Sequence, residues 1–370
     1  MLFDDMSEND EELFSMPPVV EAQESMPAEN LSARQTPFLW GHGAIEQNLI
    51  TMLQNKRFPH GLIFSGGEGV GKSVMAYRLA RYLFAKGNRD DDGGGLFGAL
   101  PQEPDTSLYI EQQQPVFSRV ASGGHPDLLT IGRAVDEKTG AFKQSVAVDD
   151  IRKIAPFMRM TASSAGGWRV VIVDDADTMT RSSQNGLLKI LEEPPAKSLL
   201  VLITHRAGAL LPTVYSRCVH IPFAPLDDGV LEKALDGRVA GDDKAIVLRM
   251  AEGSIGRAFR YAEPAALEVI RETMAILGGY PQFDWISIQN FVELFGTKGN
   301  EETQGIFEDT MLWALSSVLR RTGGGLGALQ LMEPEQSLGV YDALREHFRL
   351  CRTGNIDKRF LIMGAFMAFE

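Results

Sequence analysis

The sequence predicts an α/β domain built on a parallel sheet, followed by regions that are helical throughout. Three observations carry this. Short apolar runs at Leu62–Phe64, Leu128–Ile131, Val170–Val173, Leu199–Ile203 and Val219–Phe223 alternate with helical stretches, the pattern that a parallel sheet with crossover helices requires. The run Val170-Val171-Ile172-Val173 is apolar at every position, as a strand covered on both faces should be. From Asp227 onward no run reads as a strand.

Residues 1–33 hold nine acidic residues and no Lys or Arg, so −9 of the net charge of −13 lies there. With Pro17, Pro18 and Pro27 and no sustained periodicity, residues 1–36 read as a disordered acidic tail, either solvated without a partner or carrying a short docking peptide around Leu13, Phe14 and Met16. Order begins near Pro37. Ile45, Leu49 and Met52 then share one helical face. The strand Leu62–Phe64 leads through a glycine-rich loop into a helix over 72–83. Residues 86–124, with Asp90-Asp91-Asp92-Gly93-Gly94-Gly95, read as a long flexible insertion.

A helix over 148–158 follows, and the helix Ser182–Glu193 is stopped by Pro194-Pro195. Residues 243–262 are helix-rich, interrupted by Gly253 and Gly256. After Gly278–Pro281 the pattern is purely helical: Phe307, Met311, Leu315 and Leu319 recur at i+4, as do Leu344 and Phe348, and Gly323–Gly325 breaks two helices. The expected division is a tail over 1–36, an α/β domain over 37–225, a small helical domain over 226–278 and a helical domain over 279–370.

Composition narrows the function. The 370 residues are 44% hydrophobic and 23% charged, as in an ordinary globular protein. No apolar run approaches the ~20 residues that cross a bilayer. The acidic N-terminus has neither the basic nor the apolar region of a secretory signal, so the cytoplasm is the expected location. Two cysteines, Cys218 and Cys351, exclude a disulfide framework and a cysteine-built zinc site. The sequence pI of about 5.1 argues against a self-sufficient nucleic-acid binder, so any contact with DNA is shared with partners.

Gly66-Gly67-Glu68-Gly69-Val70-Gly71-Lys72-Ser73 matches the phosphate-loop pattern G-x-x-x-x-G-K-[ST]. Its glycines let backbone N–H groups turn toward phosphate oxygens, Lys72 supplies charge at the β/γ-phosphates, and Ser73 a hydroxyl for Mg²⁺. The acidic residue that such a loop needs at the end of a buried strand is Asp174. Asp175 stands where a base would position the attacking water, one methylene shorter than glutamate. ATP and magnesium are therefore the expected cofactors.

Asp174-Asp175-Ala176-Asp177, the run from Asn185 through Leu191-Glu192-Glu193-Pro194-Pro195, and Ser216-Arg217-Cys218 resemble the AAA+ clamp-loader subunits of bacterial DNA polymerase III. Phe58–Leu62 and His125-Pro126-Asp127 extend the resemblance over about residues 38–260. It implies a P-loop AAA+ domain, a small helical lid and an all-α collar. It also implies that Arg217 is a finger reaching the ATP of a neighbouring subunit, and that Thr204 lies near the first sensor. Two subunit types share these motifs, the tau/gamma motor and the delta-prime type. The motor carries Gly-Ser-x-Arg, whereas Gly253-Ser254-Ile255-Gly256 has glycine at the arginine's place. Arg257, one residue on, is rotated by about 100° on a helix.

Together with Asp175, this resembles the delta-prime type. Its own ATPase is then weak or absent, and its partners are tau/gamma and delta subunits, the sliding clamp and, through the assembly, primed DNA. The alternative is an ATP-hydrolysing motor. The family's four-cysteine zinc module has no counterpart, because residues 86–124 contain no cysteine; no zinc is expected.

Overall fold

The computed structural model describes residues 31–55, 57–87, 105–135, 143–164, 167–298, 301–322, 326–354 and 357–369. Residues 1–30 of the expected tail, the Asp90–Gly95 run and the Gly323–Gly325 break lie outside the described residues.

Among the described residues five strands form one sheet: β1 (Gly61–Gly66), β2 (Leu128–Ile131), β3 (Arg169–Val173), β4 (Ser198–Thr204) and β5 (Val219–Phe223), in the order β2-β3-β4-β1-β5. The pairs β2–β3, β3–β4 and β4–β1 are parallel. These are the five strands that the apolar runs predict. Between and before them lie α1 (Gly43–Gln54), α2 (Lys72–Lys86), α3 (Pro115–Ala121), α4 (Val148–Arg152), α5 (Ile154–Arg159), α6 (Arg181–Glu192) and α7 (Pro212–Tyr215). The helices after the sheet are α8 (Asp228–Leu235), α9 (Gly241–Ala251), α10 (Ile255–Tyr261), α11 (Pro264–Leu277), α12 (Trp285–Lys298), α13 (Glu301–Leu319), α14 (Pro334–Gly354) and α15 (Lys358–Met367).

The chain gathers into two compact units. One runs to Ser65 and from Lys72 to Pro222; the other takes Gly66–Gly71 and everything from Phe223 onward. In the first unit, alternation along the strands puts Val171, Val173, Leu200 and Leu202 on one face, where they pack with Ile151, Ile154, Met158, Leu187 and Ile190 from α4–α6.

Three sequence expectations change. The single helix over 148–158 is two short helices, because Pro156 has no N–H to give to the Arg152 carbonyl, the last residue of α4. The expected loop over 86–124 is structured in its second half. Leu108 and Ile110 are buried, and α3 buries Phe117 and Val120, with the Arg81 guanidinium 4.5 Å from the Phe117 ring centre. Residues 31–36, expected in the tail, make a turn closed by Gln35 N–H donating to the Ser32 carbonyl at 2.8 Å. Buried arginines of α2 then hold its end: Arg81 donates to the Thr36 carbonyl at 2.9 Å and Arg78 to that of Pro37 at 2.8 Å.

In the second unit the i+4 spacing on α13 buries Phe307, Met311 and Leu315. Phe307 lies 6.0–6.2 Å, ring centre to ring centre, from Phe291, Phe295, Phe348 and Phe366, joining α12, α13, α14 and α15. Phe307→Ala leaves a cavity among four rings and is expected to cost about 3–5 kcal/mol. In urea it lowers the unfolding midpoint without changing the slope.

Candidate functional site

Parallel pairing brings the C-terminal ends of the strands to one edge of the sheet. Ile131 pairs with Val173, Val173 with Leu202, and Ser65 with Thr204, so the residues just past these ends are neighbours. Asp174 continues the ladder, its N–H donating to the Ile131 carbonyl at 2.7 Å. Ser73, in the first turn of α2, donates its hydroxyl to Asp174 Oδ2 at 3.3 Å. Two of the expected magnesium ligands therefore meet.

Asp175 follows in the left-handed region, with φ 52°. Its carboxylate receives Arg133 Nε at 2.7 Å and lies 3.2 Å from His205 Nε2. On the other side of the ring, His205 Nδ1 lies 3.3 Å from Nζ of Lys72, which is 3% exposed. Thr204 is fully buried, and its hydroxyl accepts the Arg206 N–H at 3.1 Å. The residue of this strand end that touches the charged groups is His205.

The two adjacent carboxyls are pushed apart. Burial, with the neighbouring Asp175 charge, raises the Asp174 pKa. Hydrogen bonding from His205 and Arg133 lowers that of Asp175 to about 2. Asp175 is thus a firmly ionised carboxylate held by two cationic or donor groups. Asp174 is a carboxylate whose charge is costly until a cation offsets it.

In the second unit the loop Gly66–Gly71 is docked on the start of α10. The Ser254 hydroxyl donates to the Glu68 carbonyl at 2.8 Å, and Gly256 N–H donates to the Gly69 carbonyl at 2.9 Å. Gly69 has φ 72°, and a Cβ there would stand 2.4 Å from Ser254 Oγ. A Cβ on Gly256 would stand 2.9 Å from Gly69 Cα. No side chain fits at 256 while the loop stays where it is, so glycine there is a packing requirement. Arg257 turns away from it, its guanidinium 3.6 Å from Glu252.

Arg217 lies at the other end of the strands. A Cβ on Gly61, the first residue of β1, would stand 2.8 Å from Cys218 Sγ and 3.5 Å from the Arg217 carbonyl. Four residues of strand at ~3.3 Å each separate Gly61 from Ser65, and the Arg217 side chain is engaged on its own side. It donates to the Thr213 carbonyl at 2.8 Å and pairs with Glu192 at 2.9 Å. Burial pushes the Cys218 thiol up to about 12, which leaves it a packing group.

The structure thus joins Lys72, Ser73, Asp174 and Asp175 in one cluster, sets Arg217 apart from it and turns the Thr204 hydroxyl to the backbone. Sequence reasoning missed His205, Arg133 and Glu192. His205 directly follows Thr204, the last residue of β4, and Glu192 lies within the Leu-Glu-Glu-Pro-Pro run. Arg133 had no signal. The donor set suits the expected cofactor: a serine hydroxyl and a carboxylate in need of a cation are the hard oxygens that magnesium takes alongside phosphate oxygens.

A sequence model of the family described as "DNA polymerase III, delta subunit" matches residues 41–227. The chain is 29% identical over 246 residues to DNA polymerase III subunit delta' of Escherichia coli (strain K12), covering 65% of this chain and 66% of that protein. It is 39% identical over 160 residues to subunit delta' of Pseudomonas aeruginosa, covering 43% of this chain and 42% of that one. Subunit tau of Escherichia coli (strain K12) is 28% identical over 231 residues, covering 60% of this chain and 32% of tau. The matches thus span 42% to 66% of the length of these two delta' relatives.

Two outcomes follow from the geometry. Gly256→Ala forces its Cβ onto Gly69 and is expected to cost about 1–3 kcal/mol, with faster amide exchange over residues 66–71 as the direct readout. Asp175 has a folded pKa of about 2 against an ordinary 3.8. Its ionised form therefore adds stability above pH ~4, and that stability is lost as pH falls through 4 toward 2. Asp175→Asn is expected to lose about 1 kcal/mol at pH 7, less than the shift alone implies because water screens the pair. Its gap to the wild type should close below pH ~4 in urea titrations.

Proposed function

The chain belongs to the DNA polymerase III delta subunit family, and from that premise we propose that it is a delta-prime-type AAA+ subunit of the polymerase's clamp loader. In this reading it lends Arg217 to the ATP of an adjacent tau/gamma-type subunit. With tau/gamma and delta subunits it helps to place a sliding clamp on primed DNA, in the cytoplasm. The observation that carries the reading is the separation of Arg217 from the chain's own Lys72–Asp174 cluster. An arginine at the opposite end of the strands has no use for its own nucleotide. At the surface and beside Glu192, it is available to a neighbour's. A guanidinium supplied in trans neutralises charge that develops on the γ-phosphate during transfer.

In the same reading the chain binds ATP and magnesium. The loop amides of Gly66, Gly67, Gly69 and Gly71 cradle the phosphates, and Lys72 meets their charge. Ser73 and Asp174 hold the metal, which when bound neutralises phosphate charge. Hydrolysis by this chain is weak or absent. Asp175 is short for a base and already committed to Arg133 and His205, and Gly256 supplies no arginine for the γ-phosphate. The complete loop and the Ser73–Asp174 contact favour a second reading, an ATP-hydrolysing motor.

Steady-state ATPase of a complex rebuilt from this chain, tau/gamma and delta subunits, clamp and primed DNA separates the two. A finger in trans is worth roughly 10³–10⁵ in kcat at the site it serves. Arg217→Ala is therefore expected to silence that site and remove its share of turnover, while Lys72→Ala in this chain leaves most of it. The reverse pattern identifies a motor.

A further inference from the structure

Phosphate binding by Lys72 does not account for the hydrogen-bonded chain that runs from Lys72 through His205 to Asp175. A lysine ammonium can only donate. At 3.3 Å from Lys72 Nζ, His205 Nδ1 must therefore accept, which leaves the ring proton on Nε2. That proton points at Asp175 Oδ1, 3.2 Å away. The neutral Nε2–H tautomer is the one state of the ring that satisfies both neighbours; a doubly protonated ring would set a donor against the ammonium. Arg133, Asp174, Asp177 and Arg206 are the other charged groups near the ring. Arg133 binds the far oxygen of Asp175, Asp174 lies beyond it, and Asp177 accepts the His205 backbone N–H at 3.2 Å while pairing with Arg206.

We propose that His205 is a clasp: its neutral imidazole holds the Lys72 ammonium beside Asp175 when no nucleotide is bound, so that phosphate must take the lysine from the imidazole. His205 is thus a positioning residue that lowers the affinity of this chain for nucleotide. The inference rests on the reading of Gly66–Ser73 as a nucleotide loop. It gives a physical reason why an intact loop can belong to a subunit whose task is to lend an arginine. Lys72, the loop's one side-chain cation, is already engaged, and each nucleotide that binds must first break a charge-assisted hydrogen bond.

Isothermal titration calorimetry of the full chain with ATP and magnesium tests the clasp in the wild type, His205→Ala, His205→Gln and Lys72→Ala. Release of one hydrogen bond to a charged group corresponds to roughly ten- to a hundredfold in affinity. His205→Ala is expected to bind ATP tighter by that factor. His205→Gln, whose amide can accept from Lys72 and donate to Asp175, stays near wild type, and Lys72→Ala binds weakest. Equal or weaker binding by His205→Ala overturns the proposal.

Nitrogen-15 spectra of the nucleotide-free chain supply a readout that needs no nucleotide. His205 should show a bare Nδ1 and a protonated Nε2, and Lys72→Ala should shift the Nδ1 resonance. If no variant binds ATP, the nucleotide reading falls while these spectra still decide the clasp. A protonated Nδ1, or no response to Lys72→Ala, overturns it.

Discussion

The parallel register of β2, β3, β4 and β1 is the constraint on which the rest of the molecule depends. In a parallel sheet every strand ends on the same edge, so residues far apart in sequence meet there without any further device. Asp174 and Asp175 leave β3, His205 leaves β4, Arg133 follows two residues after β2 ends, and α2 starts six residues beyond the end of β1 with Lys72 and Ser73. A slip of one residue in the β3–β4 pairing would turn one strand's side chains, Val171 and Val173 or Leu200 and Leu202, away from α4–α6. The core contacts that fix the register therefore also fix the distances among the charged groups.

Those distances decide what the edge can do. Adjacent carboxyls at one strand end would ordinarily repel and share a fate. Here Arg133 and His205 hold Asp175 ionised, while burial and the neighbouring Asp175 charge disfavour ionisation of Asp174. One carboxylate is fixed by Arg133 and His205, and the other accepts the Ser73 hydroxyl. The opposite end of the same strands carries Arg217, tied to Glu192 at the last turn of α6. The length of a strand separates Arg217 and its partner Glu192 from the Lys72–Asp174 cluster.

Much of this was legible in the sequence because the sheet is covered on both faces. Its strands are uninterrupted apolar runs, and each predicted strand is present within about two residues. The phosphate-loop pattern and the following acidic pair were legible for a related reason: strand, loop and helix are contiguous in the chain. Three things were not. The packing of 105–124 sets α3, with Phe117 and Val120 buried, against α2 and buries Leu108 and Ile110, with too few residues to show a period. His205 and Arg133 matter only through register across strands, which no local pattern records. The break at Lys153 rests on Pro156 alone, which cannot donate to the Arg152 carbonyl.

Gly256 shows how an absence in sequence can be a contact in structure. Read along the chain, glycine at this position is a missing arginine. In the fold, Gly256 N–H meets the Gly69 carbonyl and its Cα faces Gly69 Cα, so a backbone-to-backbone contact occupies the space that the first carbon of any side chain would need. With Ser254 bonded to the Glu68 carbonyl, the start of α10 holds the loop by main chain at two successive residues. A side chain reaching past the loop and a helix seated on it are alternatives at one position. This chain has taken the second, which fastens the loop to the helices that follow the sheet and gives up the charge that an arginine would have brought.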